Sequence, residues 1–200
     1  METAKKATRP RGRPSRKTEI VAATEALLRE KGLAGVTTRA IAESVPCSEG
    51  AIYVHFEDRL ALILAVLEES LPEMLVPLHE LKDKIGMDTV EANLTIALRG
   101  LLQFHQRVMM MICSLIGEPE LKARFRQSLA GQGRGPERGV ATLARYIEEE
   151  KALGRVAARV DAKQAAKALM AGSFFHVFTE QLLGGEEPMD ATGLVAMVLS

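Results

Sequence analysis

Residues 37 to 56 read TTRAIAESVPCSEGAIYVHF, and they leave the chain few ways to fold. Thr37 can cap a helix on which Ile41, Ala42 and Val45 share one face, and Pro46 interrupts that helix. Ser48 can cap a second helix, whose Ala51, Ile52 and Phe56 pack inward while Glu49, Tyr53 and His55 point elsewhere. A short capped helix, a tight turn and a second short helix with an apolar inner face make a helix-turn-helix, whose second helix enters the DNA major groove. Small Ala42 and Ala51 let the helices come close, and Gly50 lets the backbone lie near phosphates. Tyr53 and His55, one turn beyond, can hydrogen-bond phosphate oxygens and fix the register without reading sequence.

The rest of the chain is built from helix formers, with aromatics at only 4% and no Trp, so the fold class is all-α. Ile20, Ala23, Ala26, Leu27 and Glu30 fall at helical spacings between Arg16 and Lys31, and Gly32 stands where that helix should stop. The apolar period continues from Glu57 to Lys84, with Pro72 and Pro77 as kinks or breaks. Asp88 to Ile116 predicts a helix about 40 Å long. Beyond it the sequence predicts a short helix over 118–130, a loop over 131–139 and a helix over 140–154. A helix over 162–183 follows, capped by Asp161, and a last one over 188–200. The expected organisation is a disordered basic arm at 1–15, a helix-turn-helix domain at 16–60 and a helical domain at 61–200.

Charge is unevenly spread. Cations and acids balance at 26 each, yet residues 1–17 hold seven cations against Glu2, a net of +6, and the remaining 183 residues net −6. That asymmetry points to a polyanionic partner. Cys47 and Cys113 lie 66 residues apart without CxxC spacing, which suggests neither a disulfide framework nor a zinc site and fits a reducing cytoplasm. The basic N-terminus lacks the apolar run of a secretory signal. The densest apolar run, VMMMICSLI at 108–116, is too short to span a bilayer.

The segment TTRAIAESVPCSEGAIYVHFEDRLAL resembles the DNA-binding segment of the TetR family of bacterial transcriptional regulators. An Ile-Ala pair, a Ser-x-Gly and a Tyr-x-His-Phe followed by a basic residue recur there in this order. They stand here as Ile41-Ala42, Ser48-Glu49-Gly50, Tyr53-Val54-His55-Phe56 and Arg59, within a match covering residues 16–67. Pro46 departs from the family's turn glycine, Cys47 takes the apolar position after it, and Leu60 stands where an acidic residue usually follows. Proline holds φ at about −65°, so a left-handed turn is excluded and the approach angle of the recognition helix is expected to differ.

The resemblance implies phosphate contacts from Thr37, Tyr53, His55 and Arg59, with Arg39, Ser48, Glu49, Ala51 and Val54 near the bases and Gly50 at a close backbone approach. Arg39 can pair with guanine O6 and N7, Glu49 can accept from cytosine N4, and Val54 or Ala51 can touch a thymine methyl. Glu49 equally suits the first turn of a helix on dipole grounds alone. Within the arm, RPRGRP resembles an AT-hook, in which Arg11 and Arg13 would enter an A·T-rich minor groove. The alternative is a tail with little engagement.

No HExxH, Walker A, GxGxxG or GxSxG pattern occurs, so no enzyme, cofactor or metal site is expected. His105 and Cys113 share a helix face, but two ligands without a third make a poor metal site. For the larger domain the resemblance implies ligand binding and dimerisation. Candidate pocket residues are Leu101, Phe104, His105, Val108, Met109 and Ile112 on one helix, and Met170, Phe174, Phe175, His176 and Phe178 on another. Met side chains around aromatic rings suit an adaptable apolar pocket, and equally a Met-rich core. For the dimer seam, Ala165, Ala168 and Gly172 permit close helix approach, and Leu194, Val195 and Val198 offer apolar surface. Their other use is packing within one subunit.

The expected function is a ligand-responsive homodimeric repressor on a palindromic operator, released by a small apolar or amphipathic effector. An architectural DNA binder without effector control is the alternative, and a helical enzyme or carrier stands behind both.

Overall fold

The computed structural model describes residues 15–74, 76–132, 136–185 and 187–200. Several of the helices among them begin at a side-chain cap. Helix α1 (Arg16–Gly35) begins where Ser15 Oγ accepts from the Thr18 amide at 3.2 Å. It does not end at Gly32 as the period suggested. Gly32 takes φ +64°, kinks the helix, and three further residues follow before Val36.

Helix α2 (Thr38–Ser44) is capped by Thr37 through the Ala40 amide at 3.1 Å, and α3 (Glu49–Tyr53) by Ser48 through the Ala51 amide at 3.3 Å. Between them Val45 is extended, at φ −120° and ψ 132°, the conformation that a following proline demands. The Cys47 amide then donates to the Val45 carbonyl at 2.6 Å. The turn closes with no positive φ from residue 45 to 48, as a proline at 46 requires.

The single segment expected over 57–84 is divided. Helix α4 (Arg59–Met74) runs through Pro72, α5 (Val76–Glu80) contains Pro77, and a 3-10 turn covers Leu81–Lys84. Helix α6 (Val90–Gly117) has 28 residues, capped by Thr89. Helices α7 (Pro119–Gln132) and α8 (Pro136–Ala152) take up six of the nine residues expected as loop. Proline is favoured at the first helical position, because its missing N–H has no partner there anyway. Gly139 lies inside α8 because a Cβ would stand 2.6 Å from Met170 Cε. Helix α9 (Ala162–Leu183) is capped by Asp161 and stopped by Gly184 at φ +66°. Helix α10 (Ala191–Leu199) starts after Asp190, not at Pro188, since Asp190 Oδ1 accepts from the Gly193 amide at 2.8 Å.

Two apolar cores result, and α6 runs through both. Its first half, with Leu94, Leu98 and Leu101, packs with Tyr146, Ile147, Leu169 and Val195 of the later helices. Its second half, with Val108, Met111 and Leu115, packs under Ile20, Leu28, Ile41, Ile52 and Leu62 of the N-terminal head. The head core therefore extends beyond residue 60 along α4 and takes residues from α6 and α7.

At the far end of the body lies a buried polar cluster. Glu150 is fully buried, accepts from the Gly86 amide at 3.0 Å, and faces Arg155 Nη1 at 3.2 Å without hydrogen-bond alignment. Asn93 Nδ2 donates to Tyr146 Oη at 3.0 Å and to the Met87 carbonyl at 2.9 Å. Burial pushes the Tyr146 phenol up to about 12. Arg155 also donates to the Asp88 carbonyl, so the cluster clamps the turn ahead of α6. No helix among the described residues is long and apolar enough to cross a membrane, and no group of His, Cys, Asp or Glu there could hold a metal ion.

Candidate nucleic-acid interface and effector cleft

Helix α3 has only five residues and one buried side chain, Ile52, so nearly all of it is free to meet a partner. Val54 is 80% exposed and Tyr53 55%, so both side chains are open to a partner. Thr37, Arg39, Ser48, Glu49, Gly50, His55 and Arg59 are exposed beside them, and Ala51 is half-buried. Apart from half-buried Ala51, these predicted residues are thus exposed. Arg11 and Arg13 lie outside the described residues.

Some of these side chains already have partners. Glu49 Oε2 accepts from Thr38 Oγ1 at 2.6 Å, a bond that ties α3 to α2 and that the sequence reading missed. Arg39 Nε donates to Glu43 Oε1 at 3.0 Å, but both groups are mostly exposed, and such pairs exchange easily for a base or phosphate. Arg59 Nη2 donates to the Leu33 carbonyl, which turns the guanidinium back toward the end of α1. It lines a depression of about 260 Å³ with Leu33, Asp58, Leu60, Ile63, Glu118, Glu120 and Leu121.

Three polar ties join head and body. Arg107 of α6 donates to Glu25 at 2.6 and 3.0 Å, Arg124 of α7 to Asp58 at 2.9 Å, and Ser128 of α7 to Glu68 at 2.5 Å. Asp58 Oδ1 also accepts from the Ala61 amide, capping α4. That amide, helped by Arg124, holds the Asp58 carboxyl below its usual 3.8.

The predicted pocket residues divide. Leu101 belongs to the body core and Val108 to the head core, Ile112 packs against the latter, and Met170 fills the space over Gly139. Between the cores, His105 is 4% exposed and pairs through Nδ1 with Ser173 Oγ at 2.7 Å. Its ring meets Phe104 edge-on at 5.3 Å and Phe174 at 5.6 Å, and Phe178 lies parallel to Phe174 at 6.5 Å. Met109 is buried one turn along α6. His176, two residues from Phe174, lies about 200° further round the helix and away from this cluster. Phe175 is 67% exposed on another face. Burial lowers the His105 imidazole to about 4.

Residues 20–66 match the bacterial regulatory proteins of the tetR family, and residues 98–199 match the C-terminal domain of AefR-like transcriptional repressors. The chain belongs to the TetR family. Solved structures show the same fold. A TetR transcription regulator from Haloarcula marismortui is 22% identical with a TM-score of 0.71, over 92% of this chain and 95% of that one. Salmonella enterica GusR is 19% identical with a TM-score of 0.66, over 91% and 92%. FadR from Bacillus subtilis, in complex with stearoyl-CoA, is 16% identical with a TM-score of 0.62, over 91% and 95%. No curated protein matches the chain. TetR-family proteins are DNA-binding transcriptional regulators, and this chain is one of them.

The TetR reading put a dimer seam on the last two helices, and the structure puts most of the named residues to their other use. Ala165 and Val195 are buried in the body core, and Leu194 and Val198 pack against it. Gly172 is where α10 crosses α9, since a Cβ would stand 2.7 Å from Leu194 Cδ2. Ala168 is half-buried. Small residues at these positions serve helix contact inside one protomer. Apolar surface remains at Ala171, Phe175, Phe178 and Leu182, one stripe of α9, at Phe174 and Leu183 beside it, and at Met197 on α10. Helical spacing of that stripe was readable, but which face of α9 the body occupies was not.

Proposed function

We propose that the protein is a homodimeric repressor that binds a palindromic operator and leaves it when a small apolar or amphipathic effector enters the body. The observation that carries this is the exposed set around α3, with Tyr53 and Val54 uncovered next to Arg39 and His55. A helix of five residues reads few base pairs, so a two-fold partner that doubles the site supplies affinity and length together. The α9 residues Ala171, Phe175 and Leu182 are the surface for that partner, a second copy of this chain. Phe175→Glu with Leu182→Glu leaves a monomer in sedimentation if this is right.

Tyr53, His55 and Thr37 hold phosphates, Arg39 and Val54 meet base edges, and the basic arm with Arg11 and Arg13 adds salt-dependent contacts. Arg59 reaches a phosphate only by giving up the Leu33 carbonyl. The effector site is the α6–α9 cluster of Phe104, His105, Phe174 and Phe178, and the stearoyl-CoA held by the Bacillus subtilis relative fits an apolar or amphipathic ligand. The cytoplasm, where the DNA lies, is the place of action. An effector shifts the dimer only by binding the released state more tightly.

The test is selection of bound fragments from genomic DNA by the full chain at near-physiological salt. A short palindrome supports the regulator. A·T-rich DNA with no shared palindrome overturns it in favour of an architectural role driven by the arm.

A further inference from the structure

His105 is a buried residue of which one ring nitrogen has a protein partner. Its Nδ1 is 2.7 Å from Ser173 Oγ, while Nε2 has no hydrogen-bond partner among the described residues. Nε2 is not among the fully enclosed atoms left without a partner, so solvent or a ligand group can reach it and bond to it. The ring is also framed by flat apolar surface. Phe104 and Phe174 meet its edges, and Phe178 lies within 7° of parallel to Phe174. Phe174 and Phe178 remain 36% and 37% exposed, so they face incoming molecules while His105 sits behind them.

Charge narrows what can bind. A desolvated imidazole that titrates at about 4 is neutral at physiological pH and offers a single donor or acceptor, with the Ser173 hydroxyl able to complement either tautomer. Nearby polar groups are the Gln106 amide, bonded to Glu180 at 3.4 Å, and the Gln181 amide, which donates to the Gln106 carbonyl at 3.1 Å. Arg107, the adjacent cation on α6, is turned away to Glu25. An anionic head group therefore meets a neutral ring, with the adjacent Arg107 engaged elsewhere.

We propose that His105, positioned by Ser173, is the anchor for an uncharged hydroxyl or carbonyl group on a planar apolar effector whose ring system lies against Phe174 and Phe178. This rests on the reading of the α6–α9 cleft as the effector site and adds the chemical class of its ligand. Acids and phosphate esters are disfavoured at the anchor, and flat phenols, ketones or lactones are favoured.

Three probes sharing one ring system test it: naphthalene, 2-naphthol and 2-naphthoate, titrated by calorimetry against the full-length protein. We expect 2-naphthol to bind about tenfold more tightly than naphthalene, the worth of one hydrogen bond, and more tightly than 2-naphthoate. His105→Phe should remove the advantage of naphthol while leaving naphthalene binding in place. If that variant does not fold, Ser173→Ala, which frees the ring, should narrow the same ratio. Phe174→Ala with Phe178→Ala should weaken all three. The assignment is overturned if naphthoate binds best, if naphthol and naphthalene bind alike, or if none binds. A palindrome recovered alongside any of these leaves the regulator standing. A naphthol preference without a palindrome leaves the anchor standing and removes the regulator.

Discussion

The head and the body are each organised around an apolar core, yet they hold themselves up in different ways. The body's three longest helices, α6, α8 and α9, have 17 to 28 residues, and the body encloses a clamp of Glu150, Arg155, Tyr146 and Asn93. The head's α2 and α3 have seven and five residues, far below the length at which a helix persists unaided. What supports them is burial of Ile41 and Ile52 on a floor that includes Val108, Met111 and Leu115 of α6. The exposed face of α3 is thus separated from the contacts that hold it, and those contacts belong partly to the body.

The sharpest way to break this comparison is to cut the chain after residue 74. The remaining fragment loses the α6 and α7 floor and should lack cooperative melting by circular dichroism. A fragment that melts as a unit means that the head core stands alone.

Next in size is Glu150→Ala, which removes the buried carboxylate facing a guanidinium that is partly exposed and still bonded to the Asp88 carbonyl, and should cost the body about 1–3 kcal/mol. The loss should be partly recovered in the Glu150→Met, Arg155→Met double variant. Equal losses in single and double variants mean that the clamp's charges are not coupled.

Substitutions on the exposed face should do the opposite, changing affinity and sparing stability. Arg39→Ala should cost about 1–3 kcal/mol of operator affinity at particular base positions. Tyr53→Phe should weaken all sequences alike, by about 1 kcal/mol per half-site. Thermal midpoints should stay within the scatter of ordinary surface changes. A Tyr53 variant that alters sequence preference means that the phosphate role is wrong.

The smallest effect is expected where head meets body. Asp58→Asn weakens the cap of α4 and the tie to Arg124, at about 1 kcal/mol, discounted because the pair is partly exposed. The sign with pH is fixed. The folded carboxyl titrates below 3.8, so its contribution is complete above the unfolded value and is lost as the pH falls through the depressed one. Wild type and variant should therefore converge in strong acid, and a gap that persists there shows that Asp58 acts by shape rather than by charge.

The helix-turn-helix was legible because its signals are local. Thr37 and Ser48 announce their caps within three residues, and Pro46 dictates the extended Val45 before it. The kink at Gly32 and the helical start at Pro136 were misread, since a glycine or proline marks a helix end or a helix start according to what packs beyond it. Ser173 had no signal at all. It finds His105 across 68 residues, through the crossing of α9 on α6, and no window along the chain contains both. Ala165 and Gly172 were recognised as contact residues, but small side chains do not say whether the neighbour is α10 or another molecule.

Helix α6 has 28 residues and is therefore a rod about 42 Å long. Its bond to Ser173 falls near the middle, with Gly117 some 12 residues, or about 18 Å, further on. A tilt of about 10° about that point sweeps the far end through about 3 Å, close to the rise of one base pair. Because that end carries the floor of the head, an angular error too small to disturb a core contact at the pivot amounts to a whole step of misalignment on the duplex.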